Sequence, residues 1–229
     1  MFYRMGHLVL KPLTHALYRP RITGTANVPP TGGVILASNH FSFIDSFTIP
    51  LAAPRQVRFL AKDDYFTGTG PTAAVRREFM ETMGAIPVDR RSPKAAQESL
   101  DAALEVLRAG DAFLIYPEGT RSRDGRLYRG RTGVAFLALT AGVPVVPVAL
   151  SGTADIQPIG ARFPRVAKVG VSFGAPLHFA ERYAAVPQGR ARREVTDEIM
   201  DAIAALSGQV RADAYNELPA EAHGPAIGT

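Results

Sequence analysis

Residues Val134 to Leu150 read VAFLALTAGVPVVPVAL, the longest apolar run in the chain. Its 17 residues fall short of the ~20 that a membrane-spanning helix needs. Gly142, Pro144 and Pro147 interrupt it as well, and proline breaks helical hydrogen bonding. The run therefore reads as a buried helix, a turn and a buried strand. Other apolar runs of strand length lie at Val34–Ala37, Val57–Ala61, Ala85–Val88, Phe113–Tyr116 and Val169–Phe173. Between them fall helical patterns at Thr72–Met83, Thr132–Ala141 and Gly189–Leu206. The clearest begins at Ser92 as N-cap with Pro93 at the first helical position, carries Leu100, Leu104 and Leu107, and stops at Gly110. Continuously apolar strands separated by helices predict an α/β fold, a mixed, largely parallel sheet covered by helices on both faces.

The organisation expected is a basic amphipathic N-terminal helical element over 1–28, an α/β domain over 29–210 and a loosely ordered tail over 211–229. The turn Pro29-Pro30-Thr31-Gly32-Gly33 marks the first boundary, and the tail is rich in Pro, Ala and Gly without periodicity. In the N-terminal element, Phe2, Met5, Leu8, Val9, Leu13, Ala16 and Leu17 share one side of a helix. Arg4, His7, Lys11, Thr14, His15 and Tyr18 share the other. This pattern fits a helix lying in a membrane interface and equally one docked on a protein core, kinked at Pro12. No long apolar core or small-residue cleavage site suggests a signal peptide.

The chain holds 229 residues, 46% of them hydrophobic, with 26 Lys and Arg against 21 Asp and Glu. The net charge of +5 favours an anionic partner: a phosphorylated substrate, an acidic carrier, an anionic membrane or nucleic acid. Cysteine is absent, which excludes a thiolate nucleophile, a disulfide framework and a cysteine metal site, and makes intracellular residence the default. There is no GxSxG elbow, P-loop or HExxH helix. Gly68–Ala73 matches GxGxxA but follows a polar stretch rather than a strand.

Three strand ends carry chemistry. Directly after VILA comes SNHFSFID, Ser38–Asp45. His40 sits where ligands bind in open α/β sheets, beyond a strand's carboxyl end. A neutral imidazole takes a proton from an alcohol near pH 7, and Asp45 fixes its tautomer if a helix starts at once. The competing reading makes Ser42 and Asp45 a helix-start cap and His40 a loop residue. After DAFLIY comes YPEGTRSRDG, Tyr116–Gly125. Its Arg121 and Arg123 suit an anion, since a guanidinium fork matches phosphate oxygens; the alternative is a solvated turn at Asp124-Gly125. After AIPV comes Asp89-Arg90-Arg91.

These blocks resemble the glycerolipid acyltransferases, the group that includes 1-acyl-sn-glycerol-3-phosphate acyltransferases. NHFSFID at 39–45 is similar to that family's NHxSxxD, or HX4D, signature. GAIPVDRR at 84–91, YPEGTRS at 116–122 and VPVVPVAL at 143–150 follow in the family's order, and FLAKDDYF at 59–66 resembles the stretch between its first two blocks. The resemblance spans Arg21 to Phe179. It implies acyl transfer from acyl-coenzyme A or acyl carrier protein to a hydroxyl of 1-acyl-sn-glycerol-3-phosphate, giving phosphatidic acid, with no metal or redox cofactor. His40 is then the base and Asp45 its orienting carboxylate. Glu118, Gly119, Thr120 and Arg121 bind the acceptor, with Arg121 and Arg90 on its phosphate, Lys62 a further phosphate or oxyanion contact, and Ser42 and Asn39 in the first block. The prolines of VPVVPV suggest a strand edge or bulge beside the site. Such an enzyme would attach peripherally to the cytoplasmic face of the cell membrane, on an anionic surface. Another lysophospholipid, glycerol 3-phosphate, a glycolipid or an amino lipid is the alternative acceptor. A nucleic-acid-binding module would leave the four ordered blocks unexplained.

Overall fold

The computed structural model describes residues 11–89, 94–158 and 163–217. Helix α1 runs through residues 11–18, followed by β1 (Arg21–Thr23), β2 (Val34–Ser38), α2 (Asp45–Ala52), β3 (Val57–Lys62), α3 (Pro71–Thr82) and β4 (Ala85–Val88). Then come α4 (Ala95–Arg108), β5 (Ala112–Ile115), α5 (Gly133–Ala141), β6 (Val145–Ser151), α6 (Thr153–Ile156), β7 (Gly170–Phe173) and α7 (Gln188–Ser207). The seven strands form one sheet in the order β1-β7-β6-β2-β5-β3-β4. Every pairing is parallel except β6 with β7. The mixed, largely parallel sheet expected from the apolar runs is thus present.

Alternation within the strands explains why they read as unbroken apolar runs. Val34 and Leu36 pack with Ile49, Ala52, Met80 and Met83 of α2 and α3 on one face. Ile35 and Ala37 pack with Leu104, Val134 and Ile199 of α4, α5 and α7 on the other. Both faces are covered, so neither set can be polar. The chain leaves β2 for α2 on the first face, whereas its neighbour β5 leads to α5 on the second. Adjacent strands that send their connections to opposite faces open a crevice beyond their carboxyl ends. That crevice receives the loops 39–44 and 116–132.

One expectation is resolved and two change. Pro147 does not mark an edge: β6 lies inside the sheet between β7 and β2, with Pro147 opposite Ala37. The ladder with β7 ends at the pair Val148–Phe173. On that side Gly174 donates its N–H to the Pro147 carbonyl at 2.8 Å, and Val145 and Leu177 then exchange both backbone bonds; a step of two residues in β6 spans three in its partner, so Pro147 sits at a bulge, the other form of the expectation. The segment assigned to a loose tail begins with fixed residues, because the N–H of Ala212 donates to Leu127 and that of Arg129 to Ala214. In α1 the sides are reversed relative to a docked helix. Leu13 and Leu17 are 59% and 51% exposed, while Thr14, His15 and Tyr18 line a cavity open to the surface. Residues 1–10, 90–93, 159–162 and 218–229 lie outside the described residues, and with them the proposed N-cap Ser92 and the phosphate contact Arg90.

Candidate active site

Helix α2 begins at Asp45, and the turn leading into it folds 40–44 back over its first residue. One oxygen of the Asp45 carboxylate, Oδ2, accepts three hydrogen bonds: from the backbone N–H of Phe41 at 2.7 Å, from that of Ser42 at 2.8 Å and from His40 Nδ1 at 2.9 Å. The two readings of the motif therefore describe one arrangement. Asp45 reaches back to the amides that precede its helix, as in a capping box, and the same oxygen holds the imidazole. Ser42 does not cap reciprocally; its hydroxyl donates to the Gln157 carbonyl at 2.7 Å. Asp45 is wholly buried, and its Oδ1 has no hydrogen-bond partner among the described residues. Because Oδ2 is the acceptor, His40 carries its proton on Nδ1 and presents the Nε2 lone pair outward. The ring is 15% exposed.

Tyr116, the residue after the described end of β5, supplies the other wall. Its ring stacks on the imidazole with centroids 3.8 Å apart and planes 12° from parallel. Its hydroxyl meets Ser46 Oγ at 3.2 Å. Burial first, and the Asp45 charge second, push the phenol well above its usual range, so it stays neutral. The sequence signal for this role is an aromatic residue at the end of the strand beside β2.

The loop from Tyr116 to Arg131 lies against the histidine loop. Glu118 is fully buried. Its Oε1 accepts the N–H of His40 at 3.3 Å and its Oε2 that of Tyr128 at 2.9 Å. Burial without a cation raises its carboxyl to about 7, against the pull of those two amides. Glu118 therefore ties two loops together from inside. Gly119 has φ +80°, and a Cβ there would meet Arg131 Nε at 2.9 Å, so the bend and the close approach both call for glycine. Thr120 is exposed. The Ser122 N–H donates to the His40 carbonyl at 2.7 Å, which sets Arg121 beside the histidine loop. Among the described residues neither Arg121 nor Arg123 has a side-chain partner. The outer half of the loop is the turn also expected: Asp124 bonds the side chain of Arg126 at 2.7 Å, and that guanidinium holds its carboxyl at about 2.

Asn39 is buried and works as a piece of strand. Its amide accepts the Leu150 N–H at 2.8 Å and donates to the Leu150 carbonyl at 3.1 Å, continuing the β2–β6 pairing past its last backbone rung. Lys62 ends β3, two strands from β2, and pairs with Asp64. The structure thus brings His40, Asp45, Asn39, Ser42, Glu118, Gly119, Thr120 and Arg121 into one crevice, with Lys62 farther along the same sheet edge. No group of three or more His, Asp or Glu side chains that could hold a metal occurs among the described residues.

Next to this crevice lies an apolar cavity of about 260 Å³. Tyr18, Ile44, Phe47, Leu51, Phe79 and Met83 are among its walls. Ile44 and Phe47 flank Asp45 in sequence, so one helix start serves both spaces.

The acyltransferase family model matches residues 19–151, more than half of the chain. The chloroplastic 1-acyl-sn-glycerol-3-phosphate acyltransferase BAT2 of Brassica napus is 34% identical over 147 residues, which are 64% of this chain and 41% of that protein. LPAT1 of Arabidopsis thaliana, bearing the same enzyme name, is 33% identical over 64% of this chain and 40% of its own length. The matched span is thus about two fifths of these relatives. The crystal structure of the 1-acyl-sn-glycerophosphate acyltransferase PlsC from Thermotoga maritima superposes with a TM-score of 0.62 at 22% identity, covering 89% of this chain and 82% of that one, which shows a shared fold. With the family match enclosing every strand from β1 to β6 and both site loops, this chain belongs to the acyltransferase family.

Proposed function

We propose that the protein moves a fatty acyl group from acyl-coenzyme A or acyl carrier protein to the free hydroxyl of 1-acyl-sn-glycerol-3-phosphate, forming phosphatidic acid. The observation that carries this reading is the His40–Asp45 pair, on a loop whose His40 carbonyl accepts the Ser122 N–H next to Arg121. Nε2 takes the hydroxyl proton as the acceptor oxygen attacks the thioester carbonyl. The C–S bond then breaks, and the imidazolium returns the proton to the leaving thiolate. Asp45 stabilises the imidazolium between these steps, and Arg121 and Arg123 offer planar donors to the acceptor phosphate. The chain has no cysteine, which agrees with direct attack rather than a thioester on the enzyme. The relatives' printed names supply the acceptor, and the apolar cavity supports a lipid substrate.

Membrane attachment is part of the proposal. Leu13, Leu17, Val75, Phe79, Phe163 and Val166 are exposed apolar side chains on segments that also line the cavity or adjoin its lining residues. Lys11, Arg19, Arg77, Arg165 and Lys168 have no ion-pair partner among the described residues. An anionic leaflet matches both features. No helix among the described residues is long and apolar enough to cross a membrane. Flotation with anionic vesicles tests this, and binding unaffected by deletion of 1–18 would remove that helix from the explanation.

The deciding assay is thiol release from palmitoyl-coenzyme A with and without lysophosphatidic acid. Release that depends on the acceptor, with phosphatidic acid as product, supports the reading. Release only with another lysophospholipid or with glycerol 3-phosphate replaces the acceptor.

A further inference from the structure

The chain after α7 returns to the site, beyond the end of the family match at residue 151. Gln209 places its two amide atoms on different loops. Its Oε1 accepts Asn39 Nδ2 at 2.7 Å, next to His40, and its Nε2 donates to the Gly125 carbonyl at 2.8 Å. Three backbone bonds follow: Leu127 N–H to Val210, Ala212 N–H to Leu127, and Arg129 N–H to Ala214. The guanidiniums of Arg129 and Arg131 lie 5.4 and 5.6 Å from the Tyr215 ring centroid. Asn216 Nδ2 then donates to the Arg121 carbonyl at 3.1 Å.

The peptide group joining Arg121 to Ser122 is therefore held at both ends. Its N–H donates to the carbonyl of His40, and its C=O accepts from Asn216. An unpaired arginine on an otherwise glycine-bearing loop gains a fixed origin relative to the base. We propose that residues 208–217 are a strap that positions Arg121 against His40, with Gln209 and Asn216 as its positioning residues. Neither touches the reacting atoms; they act through the loops they join. The kinetic consequence rests on the function proposed above, whereas the structural one does not.

The test compares the full-length protein with Gln209→Ala and Asn216→Ala by hydrogen–deuterium exchange and by steady-state kinetics. In both variants the amides of 117–131 exchange faster while those of β2 and β6 are unchanged. The KM for lysophosphatidic acid rises roughly three- to tenfold, the scale of one lost hydrogen bond, and the KM for the acyl donor stays put. Gln209→Glu keeps the acceptor for Asn39 but turns an oxygen toward the Gly125 carbonyl, so it should loosen the turn at 124–126. Unchanged exchange over 117–131 overturns the strap. So does faster exchange spread over the whole sheet with both KM values raised, which marks general destabilisation. A wild-type protein that never acylates lysophosphatidic acid overturns the proposed function, and the exchange data still decide the strap.

Discussion

The loops after β2 and β5 each bury one carboxylate completely, Asp45 in the first and Glu118 in the second. Asp45 gathers two backbone amides and an imidazole on a single oxygen. Glu118 gives one oxygen to each of two amides from different parts of the chain, His40 and Tyr128. Neither has a lysine or arginine partner among its hydrogen bonds, yet only Asp45 is joined to an imidazole, which in the proposed mechanism becomes a cation during proton transfer. The same residue class thus does two jobs: one orients an imidazole, the proposed base, and the other ties the wall beside it to the histidine loop. What separates them is the partner at the far end of the hydrogen bond.

Breaking the Asp45 side of this contrast should have the largest effect. His40→Ala removes the base and lowers turnover by about 10²–10⁴-fold, while circular dichroism and Tm remain close to wild type. Full activity in that variant would end the catalytic assignment. Glu118 should respond to pH instead. Its folded value of about 7 stands above the ordinary 4.5, so the folded protein binds this proton more tightly than the unfolded chain. The contribution to stability is complete below pH 4.5 and is lost as pH rises through about 7, on the order of 3 kcal/mol in all. Urea unfolding across that range should show this fall in wild type and its absence in Glu118→Gln.

A smaller effect is expected from the arginine wall. Arg121→Ala should raise the KM for lysophosphatidic acid roughly 10- to 100-fold, the scale of a charge-assisted contact, with little change for a donor assayed alone. Equal losses for both substrates would place Arg121 elsewhere in the cycle. Gly119→Ala sharpens the comparison at the lowest cost. Its positive φ and the nearby Arg131 side chain predict a loss of about 1 kcal/mol in denaturant unfolding. The pH response of Glu118 should persist in that variant.

Much of the site was legible because its parts are short-range. His40 and Asp45 lie five residues apart at a strand end, and a helix start is enough to bring them together. The two roles proposed for Asp45 competed on paper only because a sequence does not say that one oxygen can accept three donors. Glu118 was legible as part of the acceptor block but not as a buried tie, since its partners include Tyr128 ten residues on and His40 seventy-eight residues back. Pro147 left a choice open for a related reason. A proline argues for an edge or a bulge, and which of the two holds depends on where the neighbouring strand shifts register.

By itself, then, the sequence determined the alternation of apolar strands with helices, the mixed sheet that follows from burying both faces, the His40–Asp45 pair at the end of β2 and the cationic loop after β5. These rest on periodicity and on contacts within a few residues, which local chain geometry dictates. Only the tertiary structure decided which strands are neighbours, that Tyr116 stacks on His40, that α1 turns its leucines outward, and that Gln209 and Asn216 come back to grip the site. Those contacts join residues from 76 to 170 positions apart, and no local preference encodes them; they exist because the sheet brings distant loops to one edge.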